Sequence, residues 1–146
     1  MPIKFAVENR DDFRLAVYRY SGHIRLEEIL DSLTRAVSRF APRQSYRELL
    51  IFEHDSDLSA FDAASLATVY QECAKLYRKL KLGPRTAAAM LDESMDAKLI
   101  MPLFNALSLA GGGPDLAFKL FTEVEPALKW LGVPVEKGLK IVGRAA

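Results

Sequence analysis

The densest group of side chains able to hold a metal or move a proton is Glu53-His54-Asp55-Ser56-Asp57. A carboxylate from Asp55 or Asp57 beside His54 would fix the imidazole tautomer and equip His54 as a general base. The same residues suit a solvated acidic loop, because Asp and Ser satisfy turn backbone with their own side chains. Their spacing matches no zinc pattern, and His23 is the one other histidine. Just downstream runs FDAASLATVY, Phe61 to Tyr70: an acid, two small residues, a hydroxyl and then an apolar run. That is the composition of a helix mouth, whose free N–H groups and dipole favour an acceptor. Ser59 and Asp62 have the spacing of an N-cap and the third helical residue, so they also suit closing the mouth from within. Asp57 and Asp62 would repel an added anion. The candidate residues for a partner or ligand are therefore His54, Asp55, Asp57, Ser59, Phe61, Asp62 and Ser65.

Other chemistry has less to stand on. Cys73 shares an apolar stripe with Val69, Tyr70 and Tyr77, the setting of a buried, inert thiol. No Gly-x-Ser-x-Gly elbow is present. Gly111-Gly112-Gly113 follows an expected helix and precedes an expected strand, whereas a phosphate cradle needs a strand, then glycines, then a helix N-terminus. Lys75, Arg78, Lys79, Lys81 and Arg85 form a basic patch that suits a phosphate or an acidic partner, and equally the solvated C-terminal end of a helix. Tyr18, Tyr20, Tyr46 and Phe52 are not interleaved with arginines in an RNA-binding pattern.

These side chains need a scaffold, and the bulk numbers bound it. The chain has 146 residues, half of them hydrophobic and 27% charged, which suits one domain with one core. Net charge is +1, so no global field draws nucleic acid or an anionic membrane. One cysteine excludes an internal disulfide. No apolar run approaches the ~18 residues of a membrane span, and MPIKFAVENRDD lacks the apolar core of a signal peptide. The expectation is a cytoplasmic protein with no cofactor, no metal, no nucleic acid partner and no membrane span.

Ile3, Phe5 and Val7 alternate with Lys4, Ala6 and Glu8, the period of a half-buried strand. Turn residues 9–12 and a second alternation from Phe13 make an opening hairpin. Leu26, Ile29, Leu30, Leu33, Val37 and Phe40 have helical spacing, ended by Pro42. Leu49-Leu50-Ile51-Phe52 reads as a strand covered on both faces. Leu66, Val69, Tyr70, Cys73, Tyr77 and Leu80 mark a second helix. The alanine-rich stretch from Arg85 to Leu91 is too short between its breakers for a helix and reads as a strand. A third helix is expected from about Ser94 to Ala110, with Pro102 inside it, then a strand through Leu116, Phe118 and Leu120. Thr122 and Glu125 have capping-box spacing for a last helix that ends at Gly132, with Trp130 as its apolar anchor or a surface aromatic for a partner. The order is β-β-α-β-α-β-α-β-α: an α/β domain over residues 1–131, with a mostly parallel five-stranded sheet faced by four helices. Residues 132–146 form a tail, which Leu139, Ile141 and Val142 could dock.

This order, with YRYSGHIRLEEI, ELLIFE, FDAASLATVY and FTEVEPALKWLG, resembles the STAS domain of bacterial anti-sigma-factor antagonists, and within it the SpoIIAA-like branch that shares features with lipid-carrying SEC14-type domains. The resemblance covers roughly Phe13 to Leu131. In signalling members an Asp-Ser-Ser-Gly-Leu stretch lies at the helix mouth and its second Ser is phosphorylated. Here Asp62 keeps the acid, Ala63 and Ala64 replace both serines, Ser65 stands where the family has Gly, and Leu66 keeps the apolar anchor. The resemblance thus implies the fold without the usual phosphoacceptor. It implies a non-catalytic binding or regulatory module that meets a protein partner or itself. A carrier of a small apolar or lipid ligand is the alternative, on the aromatic content near Phe52, Tyr70, Phe104 and Phe118; an enzyme using His54 with Asp55 or Asp57 is the third.

Overall fold

The computed structural model describes residues 3–10, 13–39, 46–57, 85–91 and 116–145, with the helical positions Ala64, Thr68, Gln71, Glu72, Lys75 and Lys79 between them. Five strands, β1 (Ile3–Asn9), β2 (Arg14–Tyr20), β3 (Tyr46–Phe52), β4 (Arg85–Leu91) and β5 (Leu116–Phe121), form one sheet in the order β1-β2-β3-β4-β5. The β1–β2 pair is antiparallel and the other three pairs are parallel. Three described helices accompany them: α1 (Leu26–Val37), α2 (Val124–Leu131) and α3 (Val135–Arg144). The α/β class and the mostly parallel sheet agree with the sequence. The expected third helix, at 94–110, lies outside the described residues.

Register sorts the side chains into two faces, because the strand period is two. Ala6, Val17, Leu49 and Ala88 sit in one cross-sheet row on the front face. They join Leu15 and Ile51 beneath Leu128 and Leu131 of α2 and Ile141 of α3. Tyr18, Tyr20, Leu50 and Phe52 lie on the back face and are also buried. Helix α1 covers that side, with the guanidiniums of Arg35 and Arg39 over the Phe5 ring at 5.5 and 5.2 Å. The sheet is therefore covered on both faces at β2 and β3. This explains the continuous apolar run of β3; Ala6 of β1 is buried, although alternation alone would turn it to solvent, because α3 packs on the front face there.

The alanines of β4 are buried too. Alanine prefers helix in isolation, but here Ala88 lies on the front face under α2 and Ala87 and Ala89 are buried on the back face, so tertiary packing overrides propensity.

Two expectations at the C-terminal end differ from the structure. Thr122 and Glu125 do not form a capping box: α2 begins one residue later, with Glu123 as N-cap and no side-chain cap. The segment expected as a tail is helix α3, with Ile141 buried and Val142 packed on the core, while Leu139 is exposed. Gly132 makes the turn between α2 and α3 at φ 74°, its N–H bonding Lys129 O (3.0 Å) and the Val133 N–H bonding Leu128 O (3.0 Å). This left-handed helix stop favours glycine. Gly138 then allows α3 close to α2: a Cβ there would lie 2.7 Å from both Leu128 methyls.

Candidate functional site at the carboxyl edge of the sheet

The carboxyl ends of β2 and β3 feed two loops, Ser21–Arg25 and Glu53–Asp57, and the parallel pairing continues past the strands to join them. The Glu53 N–H donates to Tyr20 O (2.9 Å), the Asp57 N–H to Gly22 O (2.8 Å), and the Ile24 N–H to Asp57 O (3.0 Å). His23 and Asp57 consequently form an isolated parallel bridge. Gly22, at φ 66°, makes the turn that allows it.

The bridge sets His23 Nδ1 3.1 Å from Asp57 Oδ2, with side chains 57% and 48% exposed. With Nδ1–H donating, the carboxylate fixes the ring tautomer, the arrangement of an oriented general base. Here both side chains are exposed, and among the described residues no element excludes water from them. Ser56, the neighbouring hydroxyl, donates to Tyr20 O (2.7 Å). It staples the loop to the strand and is not directed at an imidazole.

His54 and Asp55 occupy the exposed turn of the loop. His54 has no carboxylate partner among the described residues, so the pairing expected for it is made by His23 instead. In the sequence His23 is only the one other histidine; 34 residues separate it from Asp57, and the parallel β2–β3 pairing brings them together. Ser59, Phe61, Asp62 and Ser65 lie outside the described residues. Of the mouth segment, Ala64 is described as helical and exposed, with its carbonyl accepting from Thr68 Oγ1 (3.0 Å).

On the front face of the same edge, Arg19 donates from Nη1 to Glu53 Oε1 and from Nη2 to Val142 O (3.4 Å). The cation lies at the C-terminal end of α3, where the dipole favours it. Arg19 and Glu53 thus tie β2, the β3 loop and α3 together.

In open α/β sheets a ligand crevice forms where strand order reverses and successive crossovers part to opposite faces. The order here runs from β1 to β5 without reversal. The described strands therefore create no switch-point crevice, and their edge offers loops and helix ends as a surface. Among the described residues no group of three or more His, Cys, Asp or Glu could hold a metal ion, and no helix is long and apolar enough to cross a membrane. No protein-family model and no curated protein matches the chain.

Proposed function

We propose that the chain is a non-catalytic binding or regulatory module of the bacterial STAS type, in its SpoIIAA-like form. It meets a protein partner through the carboxyl-edge surface from Asp55 to Ser65, with Phe61 as an apolar contact, and is not switched at the family's serine. The observation that carries this reading is Ala64: an exposed helical position on the mouth segment that has no hydroxyl to phosphorylate. The unreversed strand order supports a docking surface over a pocket. The finer β-β-α-β-α-β-α-β-α arrangement, with helices between β3 and β4 and between β4 and β5, belongs to the same proposal.

The carrier reading has less support. Phe52 stacks on Tyr20 at 4.7 Å and both are buried, so their rings serve the core. Affinity capture from source cells, comparing wild type with Phe61→Ala and Asp62→Lys, tests the proposal. Loss of the same captured partner in both variants is expected. An unchanged partner set and oligomeric state in both would contradict it.

A further inference from the structure

Strand β1 ends the sheet, and among the described residues no strand pairs with its outer edge. The hairpin shows which main-chain groups face outward. The Arg10 N–H donates to Phe13 O (2.9 Å), closing the turn. Antiparallel ladders alternate, so the main-chain groups of Glu8, Ala6 and Lys4 point to β2. Those of Ile3, Phe5, Val7 and Asn9 point away from the sheet. Such an edge is a template for another strand.

The sequence of β1, Ile-Lys-Phe-Ala-Val-Glu-Asn, is self-complementary about its central residue. A two-fold axis at Ala6 places Lys4 opposite Glu8 of the second copy, and Glu8 opposite its Lys4. Phe5 then faces Val7 of the second copy and Ile3 faces Asn9, so all seven residues find a counterpart. The register keeps Lys4, Ala6 and Glu8 on the front face in both copies. The outward-pointing residues form the hydrogen-bonded pairs, which leaves Lys4 and Glu8 in the closer, non-hydrogen-bonded pairs. A slip by one residue would set front-face side chains against the back face.

Three further observations favour a second copy. Lys4 is exposed and has no ion pair among the described residues, while Glu8 already accepts from Arg10 and Arg144 of its own chain and would take Lys4 of the second copy as a further cation. Phe5 and Val7 are only half-buried in the single chain, and each would be covered by the other across the axis. The opposite edge, β5 (Leu-Ala-Phe-Lys-Leu-Phe), carries one charge, Lys119, and no acid to answer it.

We propose that two copies of the chain pair antiparallel through β1, with the axis at Ala6 and Lys4–Glu8 ion pairs on the front face, to form one continuous sheet. The proposal stands on the strand itself and is independent of the family reading. It is tested on the full chain by size-exclusion chromatography with light scattering, and by zero-length carbodiimide cross-linking of an equimolar ¹⁴N/¹⁵N mixture. The expected result is a dimer whose mixed-isotope cross-links join Lys4 to Glu8. Within one strand those residues are too far apart to link, at ~3.4 Å of rise per residue. Lys4→Glu, at an exposed position that leaves the fold intact, should weaken the dimer about tenfold or more, because unlike pairs become like pairs at both ends. A chain that is monomeric at about 100 µM, or a dimer that Lys4→Glu leaves unchanged, overturns the proposal.

Discussion

Replacing Gly138 with alanine should destabilise the protein, although alanine is the better helix former. In an open helix interior the change would gain about 0.8–1 kcal/mol. Here the new Cβ would meet both Leu128 methyls at 2.7 Å. Leu128 is fully buried in the front-face core and has little room to yield. Overpacking of this kind costs roughly 1–3 kcal/mol, so the net expectation is a loss of about 1 kcal/mol. At this chain length that lowers Tm by about 2–4 °C. The companion variant is Leu128→Ala, which alone should cost about 2–5 kcal/mol by leaving a cavity. In that background the Gly138→Ala methyl enters the void, and the same substitution should now stabilise by about 1 kcal/mol. The two sites would then couple by about 2 kcal/mol in a double-mutant cycle read by urea denaturation. If Gly138→Ala stabilises equally in both backgrounds, α3 does not pack on α2 and the account of the C-terminal helix is wrong.

Other outcomes follow from the ion pairs. The Arg144 hydrogen bond holds the Glu8 carboxyl below its ordinary value; burial opposes this, and Arg10 adds to it. A depressed folded value means the stabilisation is present above about pH 4.5, the ordinary value, and is lost as pH falls through the folded one. Glu8→Gln should therefore cost under about 1 kcal/mol at neutral pH and flatten the acid limb of a stability–pH curve; an unchanged limb refutes the assignment. Arg19→Met should cost about 1–2 kcal/mol and speed amide exchange in the last turn of α3 more than in α1; equal effects on both helices would argue against the tie to Val142. His23→Ala removes an exposed pair worth under about 1 kcal/mol. The Asp57 and Ile24 amides should remain protected from exchange, because main-chain bonds hold the loop; loss of that protection would make the side-chain pair the real clasp.

The parts of the fold that were legible in the sequence are those where local pattern and burial agree. Leu49 to Phe52 reads as a buried strand because both of its faces are covered. The hairpin reads from alternation around a polar turn. Helix α1 was legible in its stripe but not in its start, since Arg25 is no ordinary cap. Its first turn is secured from downstream, by Glu28 accepting from the Arg25 N–H (3.2 Å) and Nε (3.3 Å). Helix α3 was missed because Pro134, Gly138 and Gly143 lower its intrinsic propensity. The first stands at its N-cap, where proline does no harm, and the second is what lets the helix approach Leu128. At the site, the acidic loop was visible in composition. The His23–Asp57 pair was not, because it depends on strand register and not on spacing along the chain.

The central claim is the proposed one, that the helix mouth docks a partner and has no hydroxyl to phosphorylate at Ala64. Ala64 allows a direct measurement, since it is exposed and its side chain can change without disturbing the core. Binding of the captured partner should be measured by titration calorimetry for wild type, Ala64→Ser and Ala64→Glu. The account predicts wild-type affinity for Ala64→Ser and at least about tenfold weaker binding for Ala64→Glu, from a charge set into the contact. Equal affinity in all three proteins would contradict it.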